Sequence, residues 1–141
     1  MLPKRKFREI VFQLLYSNGF MRIDGDEYIS VMMELIKTTK KNVLAAYAEV
    51  LKIEPHLPEI DDLIQKGAKD YKFERISKVE LNILRLGFFE MIHNKLAPKI
   101  AISECLRLCS KFSSKDSAKF VNAILDGKKT TPDQKETETN I

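Results

Sequence analysis

The stretch SKVELNILRLGFFEMIHN, residues 77–94, decides the fold class. Ser77-Lys78-Val79-Glu80 has the form of a capping box, in which the serine hydroxyl accepts from the backbone N–H three residues on and the Glu80 carboxylate reaches back to the N-cap amide. From that start Leu81, Leu84, Phe88 and Met91 recur at helical spacing, and His93-Asn94 close the run ahead of Pro98.

Helical spacing continues on both sides. Downstream, Ala101, Cys105, Leu108, Cys109 and Phe112 form one apolar stripe; after Ser113-Ser114, Phe120, Val121, Ile124 and Leu125 form another, running up to Gly127. Upstream, Ile60, Leu63 and Ile64 mark a short helix that stops near Gly67, and Pro55 and Pro58 separate it from a helix carrying Val43, Leu44, Tyr47, Val50 and Leu51. A further helix follows Asp24-Gly25-Asp26 and carries Tyr28, Ile29, Met32, Met33, Leu35 and Ile36. The first holds Phe7, Ile10, Val11, Leu14 and Leu15, with Lys4, Arg5, Arg8 and, less cleanly, Phe12 on its other side. Ser17-Asn18-Gly19 closes it with residues suited to caps and left-handed turns. No segment alternates as a strand would, so the expectation is an all-α fold of about seven helices.

A length of 141 residues and a mass of 16.3 kDa suit one domain. We place it at 1–127 and read 128–141, whose one apolar side chain is Ile141, as a disordered polar tail unable to offset its ordering entropy. No run approaches the ~18 apolar residues of a membrane span. Glu9 and Gln13 interrupt the apolar start and no small-residue cleavage site follows, so the chain reads as soluble and cytoplasmic. Cys105 and Cys109, four apart, share one helix side and read as small core residues in a reducing compartment. With His56 and His93 remote from them, no metal site of the usual spacing emerges.

Catalytic signatures are missing: there is no GxxxxGK[ST], GxGxxG or GxSxG, and the chain has five glycines in all. His93 reads as a helix C-terminal dipole partner, His56 as a loop residue, and Asp61-Asp62, Glu54 and Glu59 as a solvated acidic face. No catalytic residue and no cofactor is expected.

The net charge of +4 is mild, and its placement carries more information than its size. Residues 1–20 hold four basic groups to one acid and residues 95–127 six to three, whereas 21–94 hold eleven to thirteen. Lys4-Arg5-Lys6-Phe7-Arg8 concentrates cations at a helix start, which the helix dipole disfavours; the cluster either neutralises phosphates or is a solvated helix start. Lys111-Phe112-Ser113-Ser114-Lys115-Asp116-Ser117-Ala118-Lys119-Phe120 surrounds a helix junction with cations, hydroxyls and two phenylalanines. Single-stranded RNA binding uses that mixture, although Phe112 and Phe120 taken alone read more readily as core.

Ala101-Ile102-Ser103-Glu104-Cys105, Leu108, Lys111-Phe112 and Asp116 to Asp126 resemble the C-terminal signature of the NusB family of transcription antitermination factors. Arg75 to Glu80 with Ile83-Leu84-Arg85-Leu86 is similar to that family's central helix, and Arg8-Glu9 with Gln13-Leu14-Leu15-Tyr16 to its first. The resemblance spans residues 4 to about 127 and is strongest after 75. It implies two small packed helical subdomains and a non-enzymatic role. Together with NusE, a small-subunit ribosomal protein, the family binds boxA-type single-stranded RNA and helps RNA polymerase read through terminators, notably in ribosomal RNA operons.

Carried over by position, Lys4, Arg5, Lys6 and Arg8 match the family's basic RNA-binding start. Phe112, Asp116, Ser117, Lys119 and Phe120 match its second RNA-contacting segment, and Tyr16 and Glu80 match NusE-facing positions. Glu80 thus carries two assignments, cap and partner contact, which a carboxylate has the acceptor capacity to combine; Tyr16 reads as partner contact or half-buried core. The start mixes Lys with Arg, and Ser113, Ala118 and Ala123 depart from the family pattern. A homodimer through the surface that otherwise meets RNA is a further expectation. The alternatives are a helical adaptor for protein alone using the acidic middle, a stand-alone RNA-handling module like that preceding ribosomal RNA cytosine methyltransferases, and a DNA-binding helix-turn-helix.

Overall fold

A computed structural model describes residues 2–19, 25–69 and 71–129. Among them run seven α-helices and no strand: α1 (Lys4–Asn18), α2 (Gly25–Ile36), α3 (Lys40–Ile53), α4 (Leu57–Gly67), α5 (Lys78–Ile92), α6 (Pro98–Phe112) and α7 (Lys115–Lys129), with 3-10 turns at Glu54–His56 and Phe73–Arg75. Pro55 lies in the first of these turns, so the prolines tighten the passage from α3 to α4. The expected tail at 128–141 lies outside the described residues from 130 onward, and α7 runs on past Gly127 to Lys129. No helix among the described residues is long and apolar enough to cross a membrane.

The chain divides into two compact units, Met1–Pro58 and Glu59–Ile141. In the first, α1 and α3 pack side by side through Ile10, Val11, Leu14, Val43, Ala46, Val50 and Ile53, with Met32 of α2 completing the core. Four expectations change here. Phe12 is core, at 2% exposure, because α1 is covered over more of its circumference than its clearest stripe indicates. Leu44 and Leu51, read with Val43, Tyr47 and Val50 as the stripe of α3, are 45% and 49% exposed; the buried set is Val43, Ala46, Val50 and Ile53. Leu35 of α2 is likewise exposed, at 62%. Gly19 ends α1 in right-handed geometry, φ −74°, donating to the Tyr16 and Ser17 carbonyls, so the left-handed close expected there is absent. Left-handed backbone instead terminates α2, where Lys37 has φ 59° and the next N–H, of Thr38, returns to the Met33 carbonyl at 3.1 Å as in a Schellman motif.

The second unit is built around α5, whose Leu81, Ile83, Leu84, Leu86, Phe88 and Phe89 are all buried. Here α6 crosses α5 at Gly87, where a Cβ would stand 2.6 Å from the Cys105 sulfur and 3.4 Å from Leu125 of α7, so the glycine sets how closely three helices approach. Both cysteines are buried thiols, as expected, and burial together with the Glu80 carboxylate pushes the Cys109 thiol up to about 11. The acidic residues of α4 are more engaged than a solvated face. Arg85 holds Asp61 through paired bonds of 2.9 and 2.8 Å, and Glu59 Oε1 lies 2.8 Å from His93 Nε2 at the end of α5. Asp62 pairs with Lys66 along the helix surface at 2.9 Å.

Candidate nucleic-acid interface

The first unit contributes the start of α1. Pro3 occupies the N-cap without a side-chain cap, no acidic residue stands in the first turn, and Lys4, Arg5 and Lys6 are exposed, with Arg8 half-buried. Positive charge therefore collects at the positive end of the helix dipole, an arrangement that favours an external anion over the helix itself. Lys6 Nζ lies 3.7 Å from Glu9, whose residue is only 6% exposed. Tyr16, in the last turns of the same helix, is half-buried with its ring 6.2 Å from that of Phe12.

The second unit contributes the junction between α6 and α7. Ser114 caps α7 by accepting from the Ser117 N–H at 3.2 Å, and Asp116 adds a favourable carboxylate to the first turn. Lys111, Lys115, Asp116 and Lys119 are exposed, and the Lys111 ammonium stands 5.9 Å from the centre of the half-buried Phe112 ring. Ser117 differs from its neighbours: it is 7% exposed, and its hydroxyl donates inward to Glu80 Oε2 at 2.8 Å. A hydroxyl has one proton, so the 2.7 Å contact between the Ser113 and Ser117 hydroxyls makes Ser113 the donor.

Glu80 is the hub of this arrangement. Its Oε1 accepts the Ser77 N–H at 3.3 Å while its own N–H donates to the Ser77 hydroxyl at 3.1 Å, which completes the capping box read from the sequence. With its other oxygen on Ser117, one half-buried carboxylate ties the start of α5 to the start of α7. Glu80 and the segment Phe112 to Phe120 are thereby brought together, whereas Tyr16 and the basic cluster belong to the other unit.

Phe120 is half-buried, its ring 5.2 Å from that of Tyr71 and tilted by 49°. Sequence reasoning passed over Tyr71, which follows Gly67 in a segment without periodicity; the signal available was the alternation Lys69, Tyr71, Lys72, Phe73 of cations and aromatics.

Comparison with known proteins adds to this geometry. The NusB family model matches residues 5–128. "Transcription antitermination protein NusB" of Geobacter sp. strain M21 is 32% identical over 145 residues, covering 96% of this chain and 100% of the relative, and its counterpart in Acetivibrio thermocellus is 35% identical over 128 residues, covering 88% and 86%. A solved structure of T. maritima NusB superimposes with a TM-score of 0.76 at 30% identity, covering 98% of each chain. These relatives are named for transcription antitermination, which is not an enzymatic activity. Matched by the family model from α1 into α7, and aligned with relatives over most of their length, the chain belongs to the NusB family.

Proposed function

We propose that the chain is a non-enzymatic transcription antitermination factor that binds boxA-type single-stranded RNA together with NusE and promotes read-through by RNA polymerase, notably on ribosomal RNA operons. In this reading residues 1–127 act as one RNA-binding module in the cytoplasm. Lys4, Arg5, Lys6, Arg8 and Lys119 neutralise phosphates, Phe112 and Phe120 offer faces to unstacked bases, and Asp116 faces base edges. Ser117 acts from beneath, as a positioning residue that fixes the start of α7, and Tyr16 and Glu80 face NusE.

The observation that supports this reading most is the 2.8 Å hydrogen bond between Glu80 and Ser117, because it joins a residue matched to the protein partner with one matched to the RNA segment. A partner that orders Glu80 also orders the α7 start, so part of the ordering entropy is already spent when RNA arrives. RNA and NusE are therefore expected to bind cooperatively, each raising the affinity of the other by the same factor, roughly 5- to 150-fold. Titrating labelled RNA with and without NusE, and NusE with and without RNA, measures both sides. An RNA affinity unchanged by NusE, with a NusE affinity unchanged by RNA, would contradict the coupling, and no RNA binding with or without NusE would favour an adaptor for protein alone.

A further inference from the structure

We propose that Tyr71, with Lys69 and Lys72, forms an additional subsite that takes one unstacked base and the two phosphates flanking it in a single-stranded RNA passing over Phe120. The subsite presupposes the RNA-binding role proposed above and lengthens the RNA path beyond the α6–α7 junction. Tyr71 is 46% exposed although its ring packs on Phe120, so the aromatic surface continues outward from the junction into water.

Beside it lies an open depression of about 410 Å³ lined by Gln65, Lys69, Tyr71, Lys72, Phe73 and Glu74. Gln65 Nε2 donates to the Tyr71 carbonyl at 3.2 Å, and the Tyr71 N–H donates to the Ala68 carbonyl at 2.7 Å, so the loop is tied to the end of α4. Among the described residues, Lys69 and Lys72 are both exposed and have no ion-pair partner, and Glu74 is the one acidic group lining the depression.

An exposed aromatic by itself is unremarkable, and lysines by themselves are solvated. Their juxtaposition beside Phe120 supplies what single-strand recognition requires: a π face for a base and cations for the backbone on either side of it. A flat tyrosine ring accepts any base, so the subsite adds affinity and length with little sequence preference.

The test uses the full chain and a labelled boxA-like strand. Tyr71→Leu keeps an apolar contact with Phe120 but removes the stacking face, and is expected to weaken binding about tenfold, while Tyr71→Phe stays within about twofold of the parent. Replacing Lys69 and Lys72 together by glutamine is expected to make the slope of log K against log salt shallower by about 1.4. If the parent binds and Tyr71→Leu binds equally well, the subsite is wrong and the RNA reading stands. If Tyr71→Leu and Tyr71→Phe lose affinity alike, the hydroxyl rather than a stacking face is at work, and the subsite is likewise wrong. A loss seen only with NusE present assigns Tyr71 to the protein partner and overturns the subsite. Absence of binding by the folded parent removes the RNA reading and the subsite together.

Discussion

Replacing Glu80 with alanine is expected to destabilise the second unit by about 2 to 3 kcal/mol, more than a surface residue would, since surface changes stay within about 0.5 kcal/mol. Two losses add. The bond from the Ser117 hydroxyl to the carboxylate is charge-assisted and one end is buried, which places it near 1.5 to 3 kcal/mol; the reciprocal bond to the exposed Ser77 N–H contributes about 0.5 to 1. Ser117 keeps a hydroxyl neighbour in Ser113, which offsets part of the loss. Glu80→Gln retains one acceptor oxygen without the charge and should fall midway. Urea unfolding measures this as a lowered midpoint at unchanged m. A double-mutant cycle with Ser117→Ala should return a coupling of about 1 kcal/mol or more. An alanine variant as stable as the parent, or no coupling to Ser117, would show that the carboxylate serves an external partner alone.

Neutralising Lys4 and Arg5 to alanine is expected to do the opposite: leave stability unchanged or raised by a few tenths of a kcal/mol, and weaken RNA binding. Both cations sit in the first turn of α1, where the dipole repels them and which itself holds no acidic residue. Lys6 is left in place because it faces Glu9. Two fewer neutralised phosphates make the salt slope shallower by about 1.4, so between 50 and 200 mM salt the parent loses about sevenfold more affinity than the variant. The weakening should be uniform across RNA sequences, since phosphates carry no base identity. An unaltered slope would reduce the cluster to a solvated helix start.

How much of this was legible in the sequence depends on how local the cause is. The capping box at Ser77 to Glu80 and the helix it starts involve residues within a few turns of one another, and both were readable. The helices themselves were readable for the same reason. Which side of each helix is buried depends on its neighbours: Leu44 and Leu51 share the helical spacing of Val43 and Val50, but packing against α1 and α2 buries the side that carries Ala46 and Ile53 instead. Glu80 was legible as a cap and matched as a partner position, but its bond to Ser117 spans 37 residues and has no local signature. Asp61, read as part of a solvated face, is held by Arg85 across 24 residues for the same reason. Tyr71 gains its meaning only from Phe120, a residue on another helix.

The central claim is that this chain, with NusE, reads a boxA-type single strand. The most direct measurement is a titration of the chain into labelled boxA-like RNA with NusE present, against a scrambled strand of the same composition at the same salt. The account predicts tighter binding of the boxA-like strand than of the scrambled one, by about tenfold for each base whose edge the protein reads and scrambling replaces. Equal binding of the two strands, or none to either, would contradict it.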